Sequence, residues 1–277
     1  TSFATVGQTN LTQQGLLQQV AGSGDGRKDV VIFIHGYNYS FPEALYRLTQ
    51  IKVDGNLDET PILFAWPSQA AVAGYVADKE SATYSRDALT DLLAALARDS
   101  RIGTITVFAH SMGGWLTVEA LRQLRLSGQD DVFNRLTVVL AAPDIDVDVF
   151  QAQMQVIGPM TPPMTVLVSS DDQALRVSNR LSRSRARIGA LDITDPAVQQ
   201  AARKAQLAII DISSVEASDG LNHDRYIKLA TLYANRRDEG GDTPGPGLRS
   251  TGAFVFNTVG ATISSPFSII GEALEGG

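Results

Sequence analysis

The chain of 277 residues contains no cysteine, which excludes disulfides, thiolate metal sites and a cysteine nucleophile together. Histidine is almost as scarce: the three residues His35, His110 and His223 form no His-x-x-x-His pair, so no metal site is expected. Positive charge is also in deficit. A formal net charge of −7 disfavours nucleic acid as a partner, because such binding needs a basic surface to neutralise phosphates. No uninterrupted apolar run reaches membrane-spanning length. There is no Gly-x-x-x-x-Gly-Lys-[Ser/Thr] loop for nucleotide phosphates and no dinucleotide-type glycine fingerprint, so no cofactor is expected. The chain opens at Thr1 rather than Met, which fits removal of a leading segment. Export (periplasmic, secreted or from a lipoprotein) is therefore expected over the cytoplasm.

What is present is a 44% share of hydrophobic residues, arranged as alternating strand-like and helix-like segments. Residues 1–28 form a polar lead with a short helical stretch from Leu11 to Val20. Asp29-Val-Val-Ile-Phe-Ile34 is apolar and β-branched without alternation, the pattern of a strand buried on both faces. Pro61 to Ala65, Thr104 to Ala109, Leu136 to Leu140, Thr165 to Val168 and Leu207 to Ile212 supply five more strands. Helices are expected over Phe41 to Ile51, Ser81 to Arg98, Trp115 to Leu126, Ala174 to Leu181 and Asp224 to Asn235. The second is a single long one, striped by Leu89, Leu92, Leu93 and Leu96. This spacing implies βαβ crossovers: an α/β domain over 29–237, with a mostly parallel twisted sheet and helices on both faces. Residues 238–277 read as a Gly/Pro linker and a mostly uncharged tail, Ala253 to Leu274. The tail is expected to pack on the domain as helix or strand, peripheral membrane contact being the alternative.

In such sheets chemistry gathers at the carboxyl ends of the strands. There the chain carries Phe108-Ala-His-Ser-Met-Gly-Gly114, a nucleophile-elbow pattern with Ala109 in place of the usual first glycine. The turn is sharp, so residues two positions either side of the serine must be small, and Ala109 and Gly113 are. Ser111 is the candidate nucleophile. A hydroxyl needs a base to take its proton. His110 adjoins Ser111 and should point away from it, and His35 ends the first strand. His223, after the last strand, is the candidate base by elimination. For the acid that orients it, Asp171 and Asp172 follow the strand Thr165 to Val168, and Asp172 sits where a helix would begin. Asp144 and Asp146, after the preceding strand, are rivals, although Pro143-Asp144 also suits a helix start. Oxyanion donors are expected from the backbone N–H of Met112 and of Tyr37, the latter in the His35-Gly36-Tyr37 loop.

These residues stand in linked motifs: Phe33-Ile-His-Gly-Tyr-Asn38, Phe64-Ala-Trp-Pro-Ser68, Ala109-His-Ser-Met-Gly113, Leu140-Ala-Ala-Pro-Asp-Ile-Asp146, Val168-Ser-Ser-Asp-Asp-Gln-Ala-Leu175 and Asn222-His223. Together, across residues 29–230, they resemble a bacterial α/β-hydrolase family without an assigned function. The resemblance implies the α/β-hydrolase fold, a Ser111, Asp172 and His223 triad, and an esterase-like or lipase-like activity on a small-molecule ester or lipid-like substrate. In that family's pattern the aspartate before x-Ala-Leu is the acid, which favours Asp172. Relatives usually carry more strands ahead of the His-Gly-Tyr-Asn strand, so either a smaller sheet or a trimmed chain is expected here. Trp66 and Tyr75 are the expected substrate-binding residues, and Tyr84 belongs to a lid or to packing. Arg176, Arg180, Arg183, Arg185 and Arg187 read as a solvated basic face. Amide or thioester hydrolysis uses the same machinery, and a catalytically silent binding scaffold is the reading from another class.

Overall fold

In the computed structural model, described for residues 4–22, 26–182, 186–217, 219–228 and 269–270, one sheet organises the chain. Its strands are β1 (Lys28–Ile34), β2 (Thr60–Phe64), β3 (Ile102–His110), β4 (Leu136–Ala141), β5 (Thr165–Val168), β6 (Ala208–Asp211) and β7 (Ile269–Ile270), in the order β2-β1-β3-β4-β5-β6-β7. The first six run parallel, and β7 pairs antiparallel with β6 at the edge. The described residues ahead of β1 hold a helix, α1 (Gln13–Ala21), and no strand, so β2 is the opposite edge.

The unalternating strand sequences follow from burial on both faces. Val30, Ile32 and Ile34 pack into the larger core with α4 (Arg86–Arg98), α5 (Met112–Leu126) and α7 (Val147–Ile157). Val31 and Phe33 pack into the smaller one with Leu48 and Ile51 of α2 (Phe41–Asp54) and with Tyr226 and Ile227. Helix starts are set by short polar side chains. Ser40 and Glu43 form a reciprocal capping box on α2, with Pro42 in its first turn. Asp146 caps α7, and Asp195 caps α9 (Pro196–Ala205). The remaining helices are α3 (Tyr75–Tyr84), α6 (Asp130–Phe133) and α8 (Gln173–Ser182).

Two expectations change. The helix expected over Ser81 to Arg98 is two helices, α3 and α4, meeting at Ser85. The Ser85 N–H and hydroxyl both bond back to the Ser81 carbonyl, closing α3 locally. Leu89, Leu93 and Leu96 are buried as expected, so the apolar period survives the break that its regularity concealed. Helix α5 begins at Met112 rather than Trp115, because the elbow runs straight into helix through two glycines. The helix expected from Asp224 is described only to residue 228, where 226–228 are helical. The Gly/Pro linker, and the tail apart from β7, lie outside the described residues, as does the alternative of membrane contact by that tail. Among the described residues no helix is long and apolar enough to cross a membrane.

The register aligns the chemistry. Ile34 faces Ala109 across β1 and β3, His110 faces Ala141 across β3 and β4, and Val168 faces Asp211 across β5 and β6. The loops carrying His35, Ser111, Asp144, Asp171 and Asp172 therefore leave the sheet along one edge.

Candidate active site

Ser111 has φ 53° and ψ −121°, a conformation that costs a non-glycine residue about 1–3 kcal/mol. Surrounding contacts hold it there. Its N–H donates to the Ala141 carbonyl at 3.0 Å, and its own carbonyl accepts from Gly114 N–H at 2.9 Å and Asp144 N–H at 3.1 Å. Helix α5 presses on the end of β1 so closely that a Cβ on Gly113 would lie 2.5 Å from the carbonyl oxygens of both Ile34 and His35. A Cβ on Gly36 would lie 2.9 Å from Ser111 Cβ, so the loop after β1 sits against the nucleophile candidate. That loop carries the Tyr37 peptide. The Met112 N–H opens α5, where it has no partner within the helix and the helix dipole favours negative charge.

His223 Nδ1 lies 2.6 Å from Asp172 Oδ2. A carboxylate at that distance accepts a hydrogen bond from Nδ1–H, which leaves Nε2 free to accept a proton. Asp172 is fully buried, and its other oxygen accepts the Leu175 N–H at 2.9 Å. Burial opposes the charged imidazole. The hydrogen bond and charge of Asp172, with Asp144 and Asp219 behind it, outweigh burial and raise the His223 pKa above 6.5.

The other aspartates hold different posts. Asp171 braces the histidine loop. It accepts from Ser169 Oγ at 2.6 Å, from Asn222 Nδ2 at 3.0 Å and from Arg225 at 2.6 Å. Asp146 is the N-cap of α7, the helix-starting task that the sequence pattern had offered to Asp144. Asp144 is buried and ion-paired with Arg187 at 3.1 Å, and it also accepts from Tyr75 Oη at 2.9 Å and Ser178 Oγ at 2.7 Å. Arg187 is thus not on a solvated face: it is 2% exposed, while Arg176 and Arg180 are exposed. Arg183 and Arg185 of that run lie outside the described residues.

Trp66 and Tyr75 are both buried and tied to protein partners. Trp66 Nε1 donates to the His35 carbonyl at 2.8 Å, its N–H donates to His35 Nε2 at 3.2 Å, and the two rings stack at 4.8 Å. Burial lowers the pKa of His35, consistent with an uncharged brace. The Tyr75 phenol is raised by burial and by Asp144. Tyr84 is exposed on the end of α3.

Sequence reasoning missed Asp78. Fully buried in α3, it accepts from Ser68 Oγ at 2.6 Å, Gln69 N–H at 2.7 Å and Asn38 N–H at 3.4 Å, joining the loops after β1 and β2. Its signal was an acid on the same helical stripe as Tyr75 and Ala82. Arg225 and Asp219 were missed too. Asp219 accepts the His223 N–H at 2.9 Å, and both act through the histidine loop rather than through any recognisable motif. Among the described residues no group of three or more His, Asp or Glu is placed to hold a metal ion.

No curated protein matches the chain. Among solved structures it is similar to fungal esterases from Rhizomucor miehei at 13% identity, covering 77% of this chain and 75% of that one, with a TM-score of 0.42. It is also similar to a lipase/esterase from Lactobacillus plantarum at 14% identity, covering 78% of this chain and 87% of that one, with a TM-score of 0.41. The parallel sheet flanked by helices agrees with a family model matching residues 12–237, and the chain belongs to that family, the α/β-hydrolases of unknown function designated DUF900.

Proposed function

We propose that the protein is a serine hydrolase that cleaves carboxylic esters through an acyl-serine intermediate. The observation that carries this reading is the 2.6 Å pair of His223 and fully buried Asp172 on the sheet edge where Ser111 occupies a strained elbow. Ser111 Oγ attacks the ester carbonyl carbon as His223 Nε2 takes its proton. The carbonyl oxygen becomes an oxyanion facing the N–H groups of Met112 and Tyr37. Collapse expels the alcohol, which receives the proton from His223, and leaves acyl-Ser111. Water, deprotonated by His223, attacks the acyl carbon, and collapse releases the acid as His223 returns the proton to Ser111 Oγ. Asp172 holds the imidazole tautomer and stabilises the imidazolium without taking the proton itself.

Esters are the substrate class proposed, because an alkoxide leaves more readily than an amide nitrogen. Matched ester, thioester and amide substrates rank the three. The test is intact-mass labelling with an organophosphonate, alongside p-nitrophenyl ester turnover. Wild type should take up one label, while Ser111→Ala and His223→Ala take up none. A folded wild type that neither labels nor turns over ester overturns the reading in favour of a binding scaffold.

A further inference from the structure

His110 precedes the nucleophile candidate and was expected to point away from it. Its buried ring instead faces His223, with centroids 4.6 Å apart and planes at 51°, and Nε2 lies 3.3 Å from the His223 backbone carbonyl. A carbonyl only accepts, so Nε2 carries the proton. His110 Nδ1 is buried against Gly36 and has no hydrogen-bond partner among the described residues. A second proton there would be a buried donor with nothing to bond, so the ring is held neutral in a single tautomer.

We infer that His110 is a positioning residue, which anchors the His223 backbone through Nε2–H and offers an uncharged aromatic face to the His223 ring. The inference rests on the ester-hydrolase reading only for its kinetic consequences. Three other anchors hold the same loop from different sides: Asp172 at Nδ1 of His223, Asp219 at its N–H, and Asp171 through Asn222 and Arg225. Among the described residues, His110 ties the His223 backbone to the elbow by a hydrogen bond, so the base and the nucleophile candidate are linked through it. Neutrality matters because His223 must become cationic when it takes the serine proton, and a charged neighbour at this distance would oppose that step. The groups facing His110 are His223, Tyr226 and Tyr39, with ring centroids at 4.6, 4.5 and 6.2 Å, and Arg47 and His35 lie within its electrostatic reach. Burial lowers its own pKa well below 6.5, in keeping with the tautomer argument.

The test uses the whole protein, with His110→Gln, which keeps an N–H donor, and His110→Met, which fills the space without one. In His110→Met, kcat should fall about 10–100-fold, the scale of a small misplacement of a reacting group, with KM within about twofold. The acid limb of the pH–rate profile should move to lower pH as the His223 and Asp172 pair loosens. His110→Gln should restore both. Independently of any turnover, NMR should show the downfield Nδ1 proton of His223 in wild type and His110→Gln and its loss in His110→Met. Nitrogen shifts of wild-type His110 should report Nε2–H and no titration where His223 titrates. An unchanged His223 proton in a folded His110→Met, or a His110 that titrates alongside His223, overturns the inference even if the protein hydrolyses no ester. A wild type that shows the expected NMR signals yet is silent towards esters and phosphonate fails the functional reading and leaves the positioning role standing.

Discussion

Two buried aspartates leave neighbouring strands along the same edge, Asp144 after β4 and Asp172 after β5, and their partners give them opposite characters. Asp144 meets the guanidinium of Arg187, a rigid planar fork of donors, together with two hydroxyls. Asp172 meets an imidazole that gains and loses a proton near neutrality. The first pair fixes a shape, and on the proposed reading the second holds a movable proton. Burial of an acid therefore identifies an electrostatic commitment, and only the partner says whether that commitment is structural or chemical.

The sharpest way to break this contrast is to remove each charge. Asp172→Asn should lower kcat by about 10⁴-fold, because the amide selects the wrong imidazole tautomer, while leaving the denaturation midpoint close to wild type at a pH above the His223 pKa. Asp144→Asn should do the reverse. Depriving buried Arg187 of its carboxylate should cost about 3–5 kcal/mol in urea unfolding, with turnover per folded molecule largely kept. Equal activity losses in the two variants would erase the distinction.

The pH response sharpens it further. Because Asp172 raises the His223 pKa, the acid limb of kcat/KM should lie above 6.5 in wild type. It should fall in Asp172→Asn and fall less in Asp144→Asn, whose charge acts on His223 from behind that of Asp172. A raised folded pKa also means that this pair stabilises the fold fully below the unfolded value near 6.5, and that the contribution fades as pH rises through the folded value. The protein should thus lose this increment of stability over the same interval in which it gains activity, which thermal melts across pH would detect. The smallest effect belongs to Asp171→Asn. Its carboxylate is partly exposed, so removing its bonds to Arg225 and Asn222 should cost only about 1 kcal/mol and a modest loss of kcat.

The sequence exposed these sites unevenly. Strands buried on both faces announce themselves by composition, and the elbow by the small residues its steric demand requires, so Ser111 and its strand-to-helix setting were legible. Asp172 was separable from Asp171 by the helix that begins beside it, which α8 supplies. Asp144 was harder to read, because the residue completing its environment, Arg187, lies 43 positions on in a run of arginines and serines that looks solvated. Asp78 and Asp219 were hidden for the same reason: their meaning lies in backbone N–H groups brought to them by loops, and residue type alone does not encode such meetings. The end of α3 at Ser85 escaped because apolar periodicity reports a buried face and is blind to a break in the helix axis.

The backbone angles at Ser111 bear on how this protein would respond to selection for heat resistance alone. Glycine is the residue most at ease with a positive φ, so Ser111→Gly should melt above Ser111→Ala in calorimetry. A population screened only for survival on heating would drift towards a sturdier molecule without its hydroxyl. On the proposed reading, the strained serine would be retained only where turnover is also rewarded.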